Sequence, residues 1–322
     1  MTETTTESVA GLTAERLLHR LDLRVVRRLD GHHPGEHRTF LLGAGVDFAD
    51  LREYQPHDDV RNIDWNVTAR MDSPFVREYV ADRELTAWLL VDRSASMRFG
   101  VEGSDNRRPK AETVTQFVTV IARLLTLRGN RVGVAVFDDG VHQVIEPAGG
   151  RSHVLRIVHE LLRPEQAAGP REGRWPWRRR SAETKAAARR TELGVALTTA
   201  AKAIRRRSLV IVLSDFISEP GWERPLGILA RKHEVICIRI TDPDEEQIPS
   251  NGMQVFEDLE TGEQLTVDTS DSAFRARFAE MAELRERELR SAVATSGLSL
   301  QSLSTDEDLV GALVRLSQSR RR

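Results

Sequence analysis

Five side chains with hard oxygen donors stand where the chain could hold a cation. Asp92, Ser94 and Ser96 form an Asp-x-Ser-x-Ser run behind an apolar segment, where one tight turn can aim a carboxylate and two hydroxyls at a common point. Ser214 and Asp215 end a second apolar run, and Thr191 opens a helical stretch after a loop. If they converge, Asp92, Ser94, Ser96, Thr191 and Asp215 present oxygen alone, a ligand chemistry suited to Mg²⁺ or Mn²⁺. Either fragment by itself is ordinary, since Asp-x-Ser-x-Ser is a common turn and Ser-Asp a common helix cap. Their order, and their position behind strand-like segments, make them a candidate site.

The elements that must carry these residues follow from the hydrophobic pattern. Residues 85–91, 209–213 and 235–240 are nearly continuous in apolar side chains, as strands buried on both faces of a parallel sheet are. Between the first two, Val114, Phe117, Val118, Ile121, Leu124 and Leu125 recur at helical spacing over residues 109–128, with Pro109 at the start and Gly129 past the end. Residues 131–137 and 141–145, parted by Asp138, Asp139 and Gly140, predict a hairpin with one antiparallel edge strand. Further helices are expected at 152–162, 192–204, 223–232, 273–295 and near 306–316, with a strand-like lead at 298–303. Alternation of this kind predicts an α/β fold with a doubly wound, mostly parallel sheet, whose ligands sit at the carboxyl ends of the strands.

Composition narrows the function classes. With 322 residues, 40% of them hydrophobic, the chain can build one large domain and a smaller companion. A net charge of -2 gives no global pull toward nucleic acid, so electrostatic recognition must come from a patch. Cys237 is the single cysteine and lies in an apolar run, which excludes a disulfide framework within the chain and points to a buried structural thiol. No segment reaches the roughly 18 uncharged apolar residues of a membrane span, and the polar, threonine-rich start does not read as a secretory leader. A cytoplasmic protein is expected. Signatures of nucleotide hydrolysis, zinc proteolysis and serine hydrolysis are absent from the sequence.

Three regions are expected: a flexible start at 1–20, a small β-rich N-terminal subdomain at 21–84, and the large domain at 85–322. Within the last, residues 164–190 are predicted to be a mobile insertion, broken by Gly169, Pro170, Gly173 and Pro176. Its Arg171, Arg174, Arg178, Arg179 and Arg180 precede Thr191 and could form a cationic rim that steers acidic partners toward the site. Trp175 and Trp177 could stack bases, yet arginine-rich loops are usually solvated surface, and nucleic-acid binding is not expected.

The five-position pattern resembles the adhesion site of the von Willebrand factor A and integrin I-domain family. That resemblance implies that Ser94, Ser96 and Thr191 bind the ion directly and that Asp92 and Asp215 act directly or through water. It also implies an open coordination position, filled by an acidic residue of a protein partner. A hydroxyl-rich shell leaves the cation underneutralised, so an incoming carboxylate completes both charge and geometry.

Residues 45–77 carry a second, longer resemblance, to the bacterial family called domain of unknown function 58, through Arg52, Tyr54, Pro56, Asp58, Asp59, Arg61, Asp64, Trp65 and Arg70. His57 departs from that family, which has glycine there. The resemblance implies a von Willebrand factor A-like domain behind this segment and a MoxR-type AAA+ ATPase as partner. Tyr54, Ile63, Trp65 and Phe75 read as anchors; the charged residues read either as structural ion pairs or as a partner contact. The expected function is a divalent-metal-dependent protein–protein interaction module, an adaptor and not an enzyme. A metal-assisted hydrolase using Asp92 and Asp215 is the alternative, and it lacks an evident general base.

Overall fold

The computed structural model describes residues 14–21, 50–56, 60, 63, 65–71, 73–78, 85–99, 108–138, 140–163, 193–257 and 264–318. In chain order these form α1 (Ala14–Leu21), β1 (Asp50–Glu53), α2 (Trp65–Thr68), β2 (Phe75–Glu78) and β3 (Thr86–Asp92). Then follow α3 (Lys110–Leu127), β4 (Arg131–Phe137), β5 (Val141–Ala148), α4 (Arg151–Leu161), α5 (Leu193–Ala203) and β6 (Leu209–Ser214). The chain continues through α6 (Glu223–Lys232), β7 (Glu234–Thr241), α7 (Pro243–Glu246), β8 (Met253–Glu257), β9 (Gln264–Asp268), α8 (Ser272–Ala294), β10 (Leu300–Ser304) and α9 (Leu309–Gln318).

Six strands make one sheet in the order β10-β7-β6-β3-β4-β5. Every neighbouring pair is parallel except β4 with β5, the antiparallel edge that the Asp138–Gly140 turn foretold. The expected doubly wound, mostly parallel α/β sheet is therefore the observed fold. Strand pleating divides the side chains between two cores. Ala87, Leu89 and Val91 of β3 join one cluster with α1, α3, α4 and α9. Trp88 and Leu90 join the other with α5, α6 and α8. Gly133 in β4 permits this packing, because a Cβ there would lie 2.9 Å from both Pro147 and the Trp88 ring.

The sheet grows in one direction from β3 to β4 and in the other from β6 to β7, so the loops behind β3 and β6 diverge between neighbouring strands. That crevice is the topological switch point, where open α/β sheets bind ligands. Asp92 ends β3, and Asp215 immediately follows β6.

Several expectations need correction. Residues 14–20 are not a flexible start: α1 is an amphipathic helix whose Leu17 and Leu18 are fully buried against α3 and α4. Residues 253–257 and 264–268, to which the hydrophobic pattern assigned no element, pair as an antiparallel hairpin outside the main sheet. The strand-like stretch after Gly140 extends to Ala148, and the last helix runs Leu309–Gln318. Within the segment expected to form the small subdomain, β1 and β2 form a two-stranded antiparallel sheet. Trp65 is no anchor there, being 69% exposed at the start of the one-turn α2, while Tyr54, Ile63 and Phe75 are half-buried. The arginine-rich insertion lies outside the described residues, as do Asp58, Asp59, Arg61 and Asp64.

Candidate functional site

At the end of β3 the backbone turns away through a single 3₁₀ turn, Ala95–Arg98, anchored by buried Met97. Asp92 Oδ1 accepts the Ser94 N–H at 2.9 Å, which folds the turn back on the carboxylate and brings the Ser94 and Ser96 hydroxyls within 3.0 Å of each other. Arg93, between Asp92 and Ser94, donates its backbone N–H to the Phe137 carbonyl and its guanidinium to the Arg163 carbonyl just past α4.

The β6 end is tied to this turn from the neighbouring strand. Parallel register sets Val91 beside Leu213, so the next residues, Asp92 and Ser214, lie side by side. Ser214 Oγ donates to Asp92 Oδ2 at 2.5 Å and accepts the Phe216 N–H at 2.9 Å. Phe216 has φ 59°, a left-handed conformation uncommon outside glycine. Its buried ring, packed edge-on against Trp222 with centroids 5.6 Å apart, and its hydrogen bond hold that strain in place. Asp215 is thereby aimed into the crevice, with Oδ1 accepting the Ile217 N–H at 3.0 Å.

Asp92, Ser94, Ser214 and Asp215 are all buried. Burial first, and then the Asp215 charge, push the Asp92 carboxyl up to about 7, against the opposing hydrogen bonds from Ser214 and Ser94. On the far side of Asp215 stands Lys110, the first residue of α3, which is fully buried. Its Nζ donates to Asp215 Oδ2 at 3.2 Å and to Glu245 of α7, and lies 5.8 Å from the Phe99 ring centroid. Burial also raises the Glu245 carboxyl, with Lys110 working against that rise.

The structure thus brings Asp92, Ser94, Ser96 and Asp215 to one crevice; Thr191 lies outside the described residues. Among the described residues no three or more His, Cys, Asp or Glu side chains gather as a metal cage. What the crevice offers is a carboxylate pair with a hydroxyl pair. Oxygen-only donors and two buried carboxylates that repel each other fit a hard divalent cation. Sequence reasoning missed Lys110, Glu245 and the bridging role of Ser214. A lysine opening a helix, where the positive end of the helix dipole disfavours it, was the available signal for Lys110.

A two-sided α/β sheet with a buried polar crevice at its switch point defines a domain of the doubly wound α/β class. Within that class, the chain belongs to the family described as protein of unknown function DUF58, which matches residues 50–288. An uncharacterized protein of Mycobacterium tuberculosis is 33% identical over 305 residues, covering 95% of this chain and 89% of the relative. A Mycobacterium avium protein, also uncharacterized, is 34% identical over 133 residues, or 41% of this chain and 78% of its own. Solved structures with a partial likeness include an aerotolerance-related membrane protein from Bacteroides fragilis, 13% identical with a TM-score of 0.43, covering 74% of this chain and 98% of that one. Another is the SpRpn10 VWA domain, 15% identical with a TM-score of 0.35, covering 72% of this chain and 94% of that one. No described helix is long and apolar enough to cross a membrane.

Proposed function

We propose that the chain is a von Willebrand factor A-like interaction module that holds Mg²⁺ or Mn²⁺ at Asp92, Ser94, Ser96, Thr191 and Asp215 and offers it to an acidic residue of a protein partner. The observation that carries this reading is the buried Asp92–Ser214–Asp215 arrangement, which preorganises two carboxylates beside a hydroxyl pair at the switch point. The ion would supply a positive centre able to capture a carboxylate; the chain's own residues fix its position and keep water from screening it.

A MoxR-type AAA+ ATPase is the proposed partner in assembly or maturation of a client, and Arg171, Arg174, Arg178, Arg179 and Arg180 are the proposed steering rim. This pairing rests on what the family resemblance implies, and the acid-seeking chemistry proposed for the site is compatible with it. The test is association of the full chain with a MoxR-type ATPase of the same organism, measured in Mg²⁺, in EDTA, and with Asp92→Ala. Binding that needs both the ion and Asp92 supports a metal-bridged adaptor. Binding indifferent to both moves the partner surface elsewhere and rejects this mechanism.

A further inference from the structure

Lys110 has no explanation in local structure. Its position opposes the helix dipole, and a fully buried ammonium is costly unless its donors are met. Both met donors point at carboxylates, Asp215 Oδ2 and Glu245, and the Asp215 bond spans 105 residues of sequence. Asp215 is consequently committed on both oxygens, Oδ1 to the Ile217 N–H and Oδ2 to Lys110. The Ser94 and Ser96 hydroxyls, by contrast, are hydrogen-bonded to each other. Arg239 also lies within electrostatic reach of Asp215, but its guanidinium bonds Glu286 of α8.

We propose that Lys110 is the specificity-determining residue of the site: by pairing Asp215 with an ammonium, it leaves Asp92, whose oxygens accept only from the neutral Ser94 N–H and Ser214 hydroxyl, as the crevice carboxylate whose charge no described cation balances, so that a bound cation must be completed by a carboxylate from outside. This inference rests on the reading of the crevice as a divalent-cation site. Lys110 thereby lowers affinity for the bare ion and reserves charge for the partner. Without it, Asp215 turns its Oδ2 to the cation and the site satisfies itself.

The experiment titrates the full chain with Mn²⁺ alone, following free Mn²⁺ by electron paramagnetic resonance, with circular dichroism as a check of fold. Lys110→Met is expected to bind Mn²⁺ about tenfold or more tightly than the parent, as loss of one nearby positive charge and gain of one carboxylate predict. The gain is expected to vanish in Lys110→Met/Asp215→Asn, and Lys110→Arg is expected to match the parent. Should Lys110→Met fold only with the ion, a larger Mn²⁺-induced rise in melting temperature than the parent's gives the same support. Should it not fold at all, Lys110→Gln, which removes the positive charge and keeps a polar side chain, carries the test, and it too is expected to bind Mn²⁺ more tightly than the parent. Unchanged or weaker binding by Lys110→Met, or a gain that survives Asp215→Asn, overturns the role of Lys110. If Asp92→Ala binds Mn²⁺ as the parent does, the cation reading itself fails, and this inference with it.

Discussion

The carboxyl edge of the main sheet and the small hairpin segment at 50–78 are both rich in charged residues, and the fold treats them in opposite ways. At the edge, Asp92, Ser94, Ser214, Asp215 and Lys110 are withdrawn from water and bonded to one another or to backbone. In the hairpin segment Val60, Trp65 and Met71 are 58%, 69% and 53% exposed, and Arg70 is exposed too. Buried polar groups survive only when paired, so the edge is a preorganised constellation whose parts depend on one another. An exposed tryptophan in a segment that also exposes Val60 and Met71 does little for the fold, so the segment lacks the aromatic anchor expected at Trp65.

That contrast can be broken by mutation. The largest stability effect is expected for Lys110→Met in metal-free buffer, a loss of about 3–5 kcal/mol, because the change strands Asp215 as a buried charge beside the half-buried Glu245. Denaturant unfolding measures it, and a loss near zero would mean that the edge is not a coupled network. Leu17→Ala is expected to cost about 2–5 kcal/mol, since α1 belongs to the core and not to a loose start. An unchanged midpoint would return the helix to the status of an appendage.

Cys237 sharpens the comparison from the core side. Burial pushes its thiol up to about 12 from an ordinary value of 9.0, so it should resist alkylation at pH 8 until the chain unfolds. The unfolded chain releases this proton near pH 9 while the folded chain keeps it until about pH 12, so its contribution to stability falls as pH rises through that window. Labelling at pH 8 as fast as a free thiol would contradict the burial. The smallest effect is expected for Trp65→Ala, a change in stability within about 0.5 kcal/mol. Paired with a measured loss of partner association, it would make the hairpin segment an interface; a drop of several kcal/mol would make it structural.

Much of this was legible in the chain because it is written in short-range pattern. Continuous apolar runs at 85–91, 209–213 and 235–240 mark strands buried on both faces, and the Asp138–Gly140 turn marks the antiparallel edge. Asp92 and Asp215 could be set at strand ends from the same pattern, since Asp92 follows its run directly and Asp215 follows one residue later, after Ser214. Trp65 misled because an aromatic residue in a charged segment reads as an anchor, whereas exposure depends on what else packs over it.

The sequence by itself determined the strands of the main sheet, their alternation with helices, and the residue types at their carboxyl ends. Tertiary structure alone decided which groups answer one another there: Ser214 reaches Asp92 across 122 residues, and Lys110 reaches Glu245 across 135. It also decided that α1 enters the core and that β8 and β9 pair with each other. The physical reason is one of range. Periodicity reports which face of an element avoids water, whereas a buried charge is matched only by whatever the folded chain brings beside it.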